Sequence, residues 1–441
     1  MIQFSDNFTL AKLLRFTLPS IVMLIFTSVY TIVDGFFVSN FAGKAEFTAL
    51  NFIFPLISIL GSFGFLFGTG GGALIAKTMG EGNREKACQT FSLIIYTSIG
   101  FSVVAAAAGL VAIRPITIAL GAEGELLENS ISYGRILLIA LPALILQYEF
   151  QIFFPTAGKP HLGLYFTLSA GLTNIILDAL FVAVFHWGLE GAAAATALSQ
   201  CVGGLLPLVY FAGKNSSHLK LTATKIDLRA VFQTVTNGFS ELLSNISMSL
   251  VGILYNIQLL KYAGENGVAA YGVLMYVNFI FSSTFIGYSV GSAPLFSYHL
   301  GAKNWKQLHN LLCKSLAIIL SVSLLMVATA FVSAESLTRL FVGYDQELTE
   351  ITTHGFFLFS FAFLFAGIGI FSSGFFTALN NGLISAVISF LRTLCFQTAA
   401  VLILPRFWGV DGIWFSAVGA EIMAALVSAC FLIAKRKQYH Y

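Results

Sequence analysis

Twelve apolar stretches of roughly 20–30 residues each dominate this sequence of 441 residues. About 20 helical residues span the hydrocarbon core of a bilayer, and the stretches lack the in–out alternation of membrane-barrel strands. The charged fraction is 10%, whereas soluble domains have about 25%. The sequence therefore predicts an all-α polytopic membrane protein with twelve transmembrane helices at approximately 16–41, 50–76, 90–112, 134–156, 162–185, 190–212, 228–260, 268–298, 310–333, 354–378, 382–404 and 411–434.

Several other classes of protein lack support in the sequence. The five cysteines are scattered without CxxC or Cys/His spacing, which indicates neither a zinc site nor a disulfide framework. The net charge of +3 gives no indication of nucleic-acid binding. No DDxxD, GxSG or HExxH pattern is present. We therefore expect no enzymatic activity, no organic cofactor and no nucleic-acid partner. The expected partners of this monomer are a small-molecule substrate and the lipid bilayer.

Loop charge predicts the orientation in the membrane. If the N-terminus is cytoplasmic, the inner segments hold sixteen Lys and Arg residues and the outer segments hold five. This excess satisfies the positive-inside rule. We therefore expect a multi-pass protein of the cell (plasma or inner) membrane with both termini cytoplasmic. The start, MIQFSDNFTLAKLLRF, lacks a signal-peptide pattern and is interpreted as an amphipathic lead-in at the membrane interface.

An internal repeat with a constant offset of 221 residues divides the chain. GGGALIAKTMGEGN (70–83) aligns with GSAPLFSYHLGAKN (291–304), and three further places repeat at the same offset. Because each half has six spans, both halves insert the same way up. An axis along the membrane normal should relate them, with a cleft between them near the midplane. The predicted units are a first lobe at 1–213, a cytoplasmic linker at 214–229 and a second lobe at 230–441.

The stretch Leu162–Ala197 contains the strongest site signal. Asn174 and Asp178 lie four residues apart and so share one helix face, and Thr196 follows on the next helix. Asp34 of the first span lies at a similar predicted depth, about 10 Å below the outer end.

The group has two functional interpretations. It suits an oxygen cage for a small hard cation such as Na⁺, or a carboxylate pair that shares a proton. A buried ionisable residue costs on the order of 3 kcal/mol or more, which favours a function. The structural alternatives are two unrelated acids in separate hydrogen bonds, or an Asp178 that snorkels to the interface.

Two features concern helix shape. Pro19 predicts a bend in the first helix, because proline removes a backbone hydrogen bond. The second helix contains GSFGFLFGTGGG, which favours close helix packing through small residues. A flexible, substrate-facing segment is the alternative.

Further polar residues within the spans are candidates for lining a substrate cavity. Each has a structural alternative: Glu149 could pair with a neighbouring Gln or Tyr, and Glu241 could form an ion pair with Arg392. The candidates are Gln147, Glu149, Glu241, Tyr255 and Arg392.

Together these motifs resemble the multidrug and toxic compound extrusion (MATE) family. The matching marks are Pro19 and Asp34 with DGFFVSNFAG, the GEGNREKA loop, TAGKP, and Asn174-x3-Asp178 with Thr196. The resemblance covers essentially the whole chain. It implies a cation site made of Asp34, Asn174, Asp178 and Thr196, and a first helix bent at Pro19.

The resemblance also implies two bundles in a V-shaped, alternating-access arrangement that exports cationic, often aromatic compounds. Proton or sodium gradients drive the export. Glu241 resembles an acidic position that another branch uses together with an Asp of the tenth helix, whereas 354–378 contains no acid here.

We therefore predict a secondary antiporter that exports cationic or amphipathic, aromatic small molecules in exchange for H⁺ or Na⁺. The alternative is a flippase or exporter of a lipid-linked or glycolipid precursor. Such a flippase would need a cavity rich in Lys and Arg for phosphates, and only Arg392 lies mid-span.

The repeat predicts that the first lobe alone handles the ion. Glu241 is expected to be the only buried acid of the second lobe. By the repeat offset, the second-lobe counterpart of Asp34 is Tyr255 and that of Asn174 is Cys395. The counterparts of Asp178 and Thr196 are Ala399 and Ala417.

Overall fold

The first lobe consists of seven helices. A computed structural model describes residues 4–441, apart from the side chain of Lys44. Two of the helices, Gly124–Ile139 and Leu141–Thr156, meet at a bend of 57° and together make one apolar span. The helices are α1 (Leu10–Phe37), α2 (Lys44–Gly80), α3 (Arg84–Ala119), α4 (Gly124–Ile139), α5 (Leu141–Thr156), α6 (Pro160–Asp178) and α7 (Gly188–Ala212).

The second lobe repeats this plan. Its first helix is broken at Gly264, where φ is 63° and ψ is −156°, so that it holds two spans. The helices Gln346–Ser360 and Phe363–Ala378 meet at a bend of 51°, much as α4 and α5 meet in the first lobe. The helices are α8 (Leu228–Gly301), α9 (Trp305–Val342), α10 (Gln346–Ser360), α11 (Phe363–Ala378), α12 (Gly382–Phe390), α13 (Gln397–Ile403) and α14 (Pro405–Tyr439).

The number of spans agrees with the sequence pattern. Within the described residues, nine helices are long and apolar enough to cross a membrane, and each bent pair adds one span. The break at Gly264 adds a twelfth. The predicted all-α class, with twelve helices in two six-helix bundles, is confirmed.

The two lobes meet closely at the inner end, a term used here for the predicted cytoplasmic side. A Cβ at Gly80 would collide with the backbone carbonyl of Tyr298, and a Cβ at Gly301 would collide with that of Lys77. Lys77 and Tyr298 are themselves equivalent by the repeat offset, so the contact is reciprocal. Only glycine allows the two backbones to approach this far.

A second reciprocal contact lies further into the membrane. A Cβ at Gly70 would collide with the carbonyl of Thr234, and a Cβ at Gly238 would collide with that of Leu66. The Gly-rich segment of α2 therefore serves close helix packing as predicted, and at Gly70 this packing is between the lobes.

Helix α1 packs along the second half of α8. Gly287 and Gly291 leave room there for the α1 backbone around Ile21 and Thr17. Ser28 of α1 shares a hydrogen bond of 2.6 Å with Ser283 of α8. The helix is continuous through Pro19, and the bend expected at this residue stays a prediction.

The N-terminal segment is buried in protein. Phe4 is 5% exposed and Phe8 is 1% exposed, and the Phe4 ring packs against His218 and Tyr298. Lys314 Nζ donates to the carbonyl oxygen of Phe8 at 2.5 Å. These two rings thus find apolar partners at the inner end, and the interfacial placement of the segment stays a prediction.

The linker between the lobes is attached mainly to the first lobe. Arg84 of α3 donates to the carbonyl oxygens of Ser217 and His218 at 3.0 and 3.1 Å. The Thr222 backbone N–H donates to Ser92 Oγ at 2.8 Å. Asp227 then caps the N-terminus of α8. Residues 223–226, the stretch just before Asp227, have no hydrogen bond to either lobe within the described part of the chain.

Candidate functional site

Four side chains from α1, α6 and α7 converge near the outer end of the first lobe. Asn174 Nδ2 donates to Thr196 Oγ1 at 3.5 Å, and Thr196 Oγ1 donates to Asp34 Oδ1 at 3.4 Å. The Asp178 carboxyl lies beside that of Asp34. Three helices thus bring together the four residues singled out in the sequence.

This cluster has charge without a protein counter-ion. Asp178 is 0% exposed and Asn174 is 1% exposed, while Asp34 and Thr196 are half-buried. Neither carboxylate oxygen of Asp178 has a hydrogen-bond donor within residues 4–441. No described Lys, Arg or His forms a salt bridge with either acid. Two adjacent buried carboxylates of this kind require a cation or a shared proton.

The backbone changes its helical form within about one turn after each acid. A π-helical segment, Val38–Ala42, follows Asp34, and a second, Ala179–Val184, follows Asp178. The two segments contact each other. Helical segments of this type are rare and concentrate at functional sites. Their position supports a functional role for the two acids.

The oxygen atoms of the cluster suit a hard cation or a shared proton. Across the part of the chain that the structure describes, no group of three or more His, Cys, Asp or Glu could hold a metal ion. Carboxylate, amide and hydroxyl oxygens are ligands for hard cations, and two adjacent carboxyls also suit a shared proton.

Two of the predicted cavity residues lie inside the first lobe. Gln147 is 3% exposed and donates to the Tyr30 hydroxyl at 3.4 Å, one helical turn from Asp34. Glu149 is 0% exposed, its backbone lies against Gly68 of α2, and its carboxyl lies beside Ser98 of α3. Both side chains point at neighbouring helices of their own lobe. The structure therefore corrects their assignment to the cavity described next.

A cavity of about 140 Å³ separates the lobes near the inner end. Helices α2 and α5 bound it on one side, and α8, α11 and α12 bound it on the other. Most of its lining residues are small or carry hydroxyl groups, and Gly72 of α2 is among them. Its charged lining residues are Glu241 and Arg392, and a role for these two candidates in binding cargo stays a prediction.

Arg392 forms its ion pair with an unexpected partner. Its Nε donates to Glu421 Oε2 at 2.8 Å, and its Nη2 lies 2.8 Å from Glu421 Oε1. The side chains are 18% and 7% exposed. The proposed Glu241–Arg392 pair is therefore wrong, because α14 offers a carboxylate in fork geometry. The Glu241 carboxylate itself has no hydrogen-bond or ion-pair partner within residues 4–441.

Tyr255 is likewise displaced from the predicted cavity lining. It is 2% exposed, donates to Gln397 Oε1 at 2.7 Å, and stacks on Tyr271 with ring centroids 5.0 Å apart. It belongs to the interior of the second lobe, where its closest charged neighbour is Glu421.

The sequence analysis missed Glu421 as a functional candidate. This acid is 5% exposed, so Glu241 is not the only buried acid of the second lobe. A signal was available, since Glu421 lies within the last apolar stretch and a buried Arg needs an acid. A hydroxyl network beside the cavity was also missed, and its members are Ser373, Thr377, Ser385 and Ser389.

Comparison with known proteins decides the family. The MatE family profile matches residues 19–180 and 242–400, one segment in each lobe. The chain belongs to the MatE family. This MatE chain is 25% identical to the multidrug export protein MepA of Staphylococcus haemolyticus (strain JCSC1435), over 99% of this chain and 96% of that protein. It is also 25% identical to MepA of Staphylococcus aureus (strain MSSA476), over 94% and 92% of the two chains.

Solved MATE structures share the fold. The crystal structure of MATE in complex with MaL6 superposes with a TM-score of 0.94 at 21% identity, covering 98% of both chains. An outward-facing multidrug resistance MATE family transporter of the MOP superfamily gives 0.93 at 21% identity, covering 98% of this chain and 97% of that one. The twelve-helix arrangement of this MatE transporter is thus the MATE fold.

Proposed function

We propose that this chain is a secondary antiporter that exports cationic or amphipathic, aromatic small molecules in exchange for H⁺ or Na⁺. The observation that carries the proposal is the pair Asp34 and Asp178 at the outer end, of which Asp178 is fully buried and Asp34 is half-buried, without a basic partner. The MatE family and the multidrug export proteins among its relatives support the same activity.

The ion acts at the first-lobe cluster. A proton or Na⁺ entering from outside offsets one of the two carboxylate charges, with the Asn174 amide and Thr196 hydroxyl completing the oxygen set. Neutralisation removes the cost of holding like charges together in the protein interior. The bound and free forms then favour different packings of α1 and α6, which supply the two acids.

The cargo binds between the lobes. Glu241 offers an unpaired carboxylate in the cavity, while the charge of Arg392 is offset by Glu421. These three side chains therefore leave one net negative charge, which attracts a cation. Coupling follows if ion and cargo favour different conformers, since a ligand shifts an equilibrium only through its differential affinity.

The geometry disfavours a flippase for phosphate-bearing lipid precursors. A phosphate headgroup would need uncompensated Lys or Arg side chains. Arg392 is the basic residue of the cavity lining, and Glu421 neutralises it.

The remaining features of the proposal concern the cell. We place the protein in the cell membrane as a monomer with both termini cytoplasmic, because Lys and Arg are concentrated in the loops of the inner side. The inner end, closed by Gly80 and Gly301, then faces the cytoplasm, and ions reach Asp34 from outside.

Reconstitution into proteoliposomes tests the function. A cationic aromatic dye is loaded, and Na⁺ and pH gradients are imposed separately in right-side-out vesicles. We expect efflux driven by one of the two gradients, and the effective gradient identifies the ion. Efflux that is indifferent to both gradients would refute ion-coupled antiport.

A further inference from the structure

The guanidinium of Arg392 has binding capacity that its ion pair does not use. Its Nε and Nη2 face Glu421, whereas Nη1 has no partner within residues 4–441. A guanidinium carries five N–H donors, so three remain after the two bonds to Glu421. The side chain lines the cavity and is more exposed than its partner acid.

The surroundings hold this guanidinium in one orientation. Two parallel bonds to Glu421 fix its plane. A Cβ at Gly369 would lie 2.8 Å from Arg392 Cδ and 3.2 Å from Nε, so glycine leaves room for the arginine stem. Arg392 itself belongs to a π-helical segment, Leu391–Phe396. The two acids of the first lobe likewise lie close to π-helical segments. A guanidinium fixed in this way is pre-organised to bind an acceptor group.

The same cavity contains a group of opposite charge. Glu241 lines it from α8 with a free carboxylate, and Arg392 lines it from beyond α12. Hydroxyl-bearing residues such as Ser244, Ser289 and Ser373 also line this cavity. A ligand that enters the cavity therefore meets an acceptor for a cation and donors for an anion or carbonyl.

We propose that Arg392 forms a subsite for a carboxylate or carbonyl oxygen of the cargo, which makes the second-lobe cavity a two-point site for zwitterions. Glu241 binds the cationic group, Arg392 donates to the acceptor oxygen, and Glu421 is a positioning residue that keeps the guanidinium oriented. Because Glu421 already offsets one positive charge, a purely anionic ligand is rejected. This inference rests on the proposed function and deepens it.

A matched pair of fluorescent probes tests the subsite. Rhodamine 110 is a zwitterion with a free carboxylate, and rhodamine 123 is its methyl ester and a plain cation. Binding of each to purified protein is measured by fluorescence polarisation. The variants are Glu241→Gln, the double variant Arg392→Gln with Glu421→Gln, and Arg392→Lys. The double variant removes both charges of the Arg392–Glu421 pair, so that neither is left without its partner. Thermal unfolding in detergent verifies that each variant is folded.

The expected results separate the two groups. The double variant should weaken rhodamine 110 binding about tenfold, the effect of one charge-assisted hydrogen bond, and change rhodamine 123 binding less than about twofold. Arg392→Lys should cause a partial loss for rhodamine 110 alone, because it retains the charge and loses the fork. Glu241→Gln should weaken binding of both probes.

Two results would overturn the subsite: equal losses for both probes in the double variant, or wild-type protein that does not bind rhodamine 110. Failure of the proposed function looks different. Wild-type protein would then fail to bind rhodamine 123, or neither gradient would drive its efflux, whatever the response of the zwitterion.

Discussion

The two lobes share one backbone plan but treat buried charge in opposite ways. In the first lobe, Asp34 and Asp178 lie together without a basic partner. In the second lobe, the buried acid Glu421 is held by Arg392 through two contacts of 2.8 Å. The repeat offset places Glu421 on Gln200, a position that has no acid in the first lobe.

This difference indicates a division of labour. An uncompensated acid pair changes its free energy when a cation or proton arrives, because nothing in the protein neutralises it. A compensated pair has little to gain from an ion and instead fixes geometry. We infer that the first lobe responds to the ion and that the second lobe orients the cargo. The following predictions test this assignment.

Removal of one first-lobe acid should have the largest effect. Asp178→Asn is expected to fold and insert, yet to reduce gradient-driven efflux to the level of empty liposomes, since the ion loses a charged ligand. Glu128→Gln is the matched control, because this acid is exposed and pairs with Arg114 at the outer surface. Asp34→Asn should behave like Asp178→Asn. Normal efflux by the purified Asp178 variant would remove the ion site from the first lobe.

Stability should respond in opposite directions in the two lobes. Arg392→Gln leaves Glu421 buried and unpaired, which should cost about 3–5 kcal/mol of the free energy of unfolding. Asp178→Asn relieves like-charge repulsion and should be neutral or stabilising in the absence of the ion. Thermal unfolding in detergent measures both variants. A double variant that also carries Glu421→Gln should recover much of the loss. Destabilisation of similar size in both lobes would contradict the contrast.

The glycine contact at the inner end should respond symmetrically. Gly80→Ala and Gly301→Ala each force a Cβ into a backbone carbonyl of the other lobe, at a cost of about 1–3 kcal/mol. Because the contact is reciprocal, we expect equal costs and an increased distance between spin labels at the inner ends. Gly100→Ala is the control, since nothing lies within 4 Å of its added Cβ. Unequal costs would show that the charge asymmetry extends into the packing frame.

Glu241→Gln should separate cargo binding from the ion response. We expect cargo affinity to fall about tenfold, the equivalent of about 1.4 kcal/mol, while Na⁺ or pH still changes the distance between labels on the two lobes. The double variant of Arg392 and Glu421 serves as the comparison within the same cavity. A variant that binds cargo normally but no longer responds to the ion would place the coupling in the second lobe.

The smallest effect should come from His218 in the linker. Burial and the nearby positive charges of Arg84 and Lys159 lower the pKa of its imidazole below 6.5. The folded linker therefore binds protons less readily than the unfolded one, and its attachment weakens as the pH falls below about 6.5. Hydrogen exchange of residues 217–222 should increase in acid in the wild type and not in His218→Gln. Using this variant removes the contribution of the linker histidine from any pH response of transport.

The sequence predicted the class, the repeat and the first-lobe cluster, because each depends on regular spacing. Asn174 and Asp178 share a helix face by their spacing of four, and membrane depth placed Asp34 with them. The partner of Arg392 could not be derived in this way. Choosing Glu421 over Glu241 depends on how α14 packs against the residues that follow α12, and a single sequence contains no distance between those helices.

The same limit applies to Gln147, Glu149 and Tyr255. Polarity within a span predicts that a residue faces the bundle interior, and all three do. It does not state whether that interior is a cavity or a helix contact. Rotation of each helix about its own axis decides this, and it is fixed by packing against neighbouring helices rather than by composition.

The attachment of the linker sets a limit on how far the lobes can separate. Thr222 is held on α3 through Ser92, and Asp227 begins α8, so only residues 223–226 are free to stretch. A fully extended chain covers at most about 3.6 Å per residue. The segment from Thr222 to Asp227 can therefore reach roughly 18 Å. This short segment therefore limits the distance between the two inner ends, and any opening toward the cytoplasm must be a rotation about it. Lengthening it with glycines would increase the reach without changing either binding site.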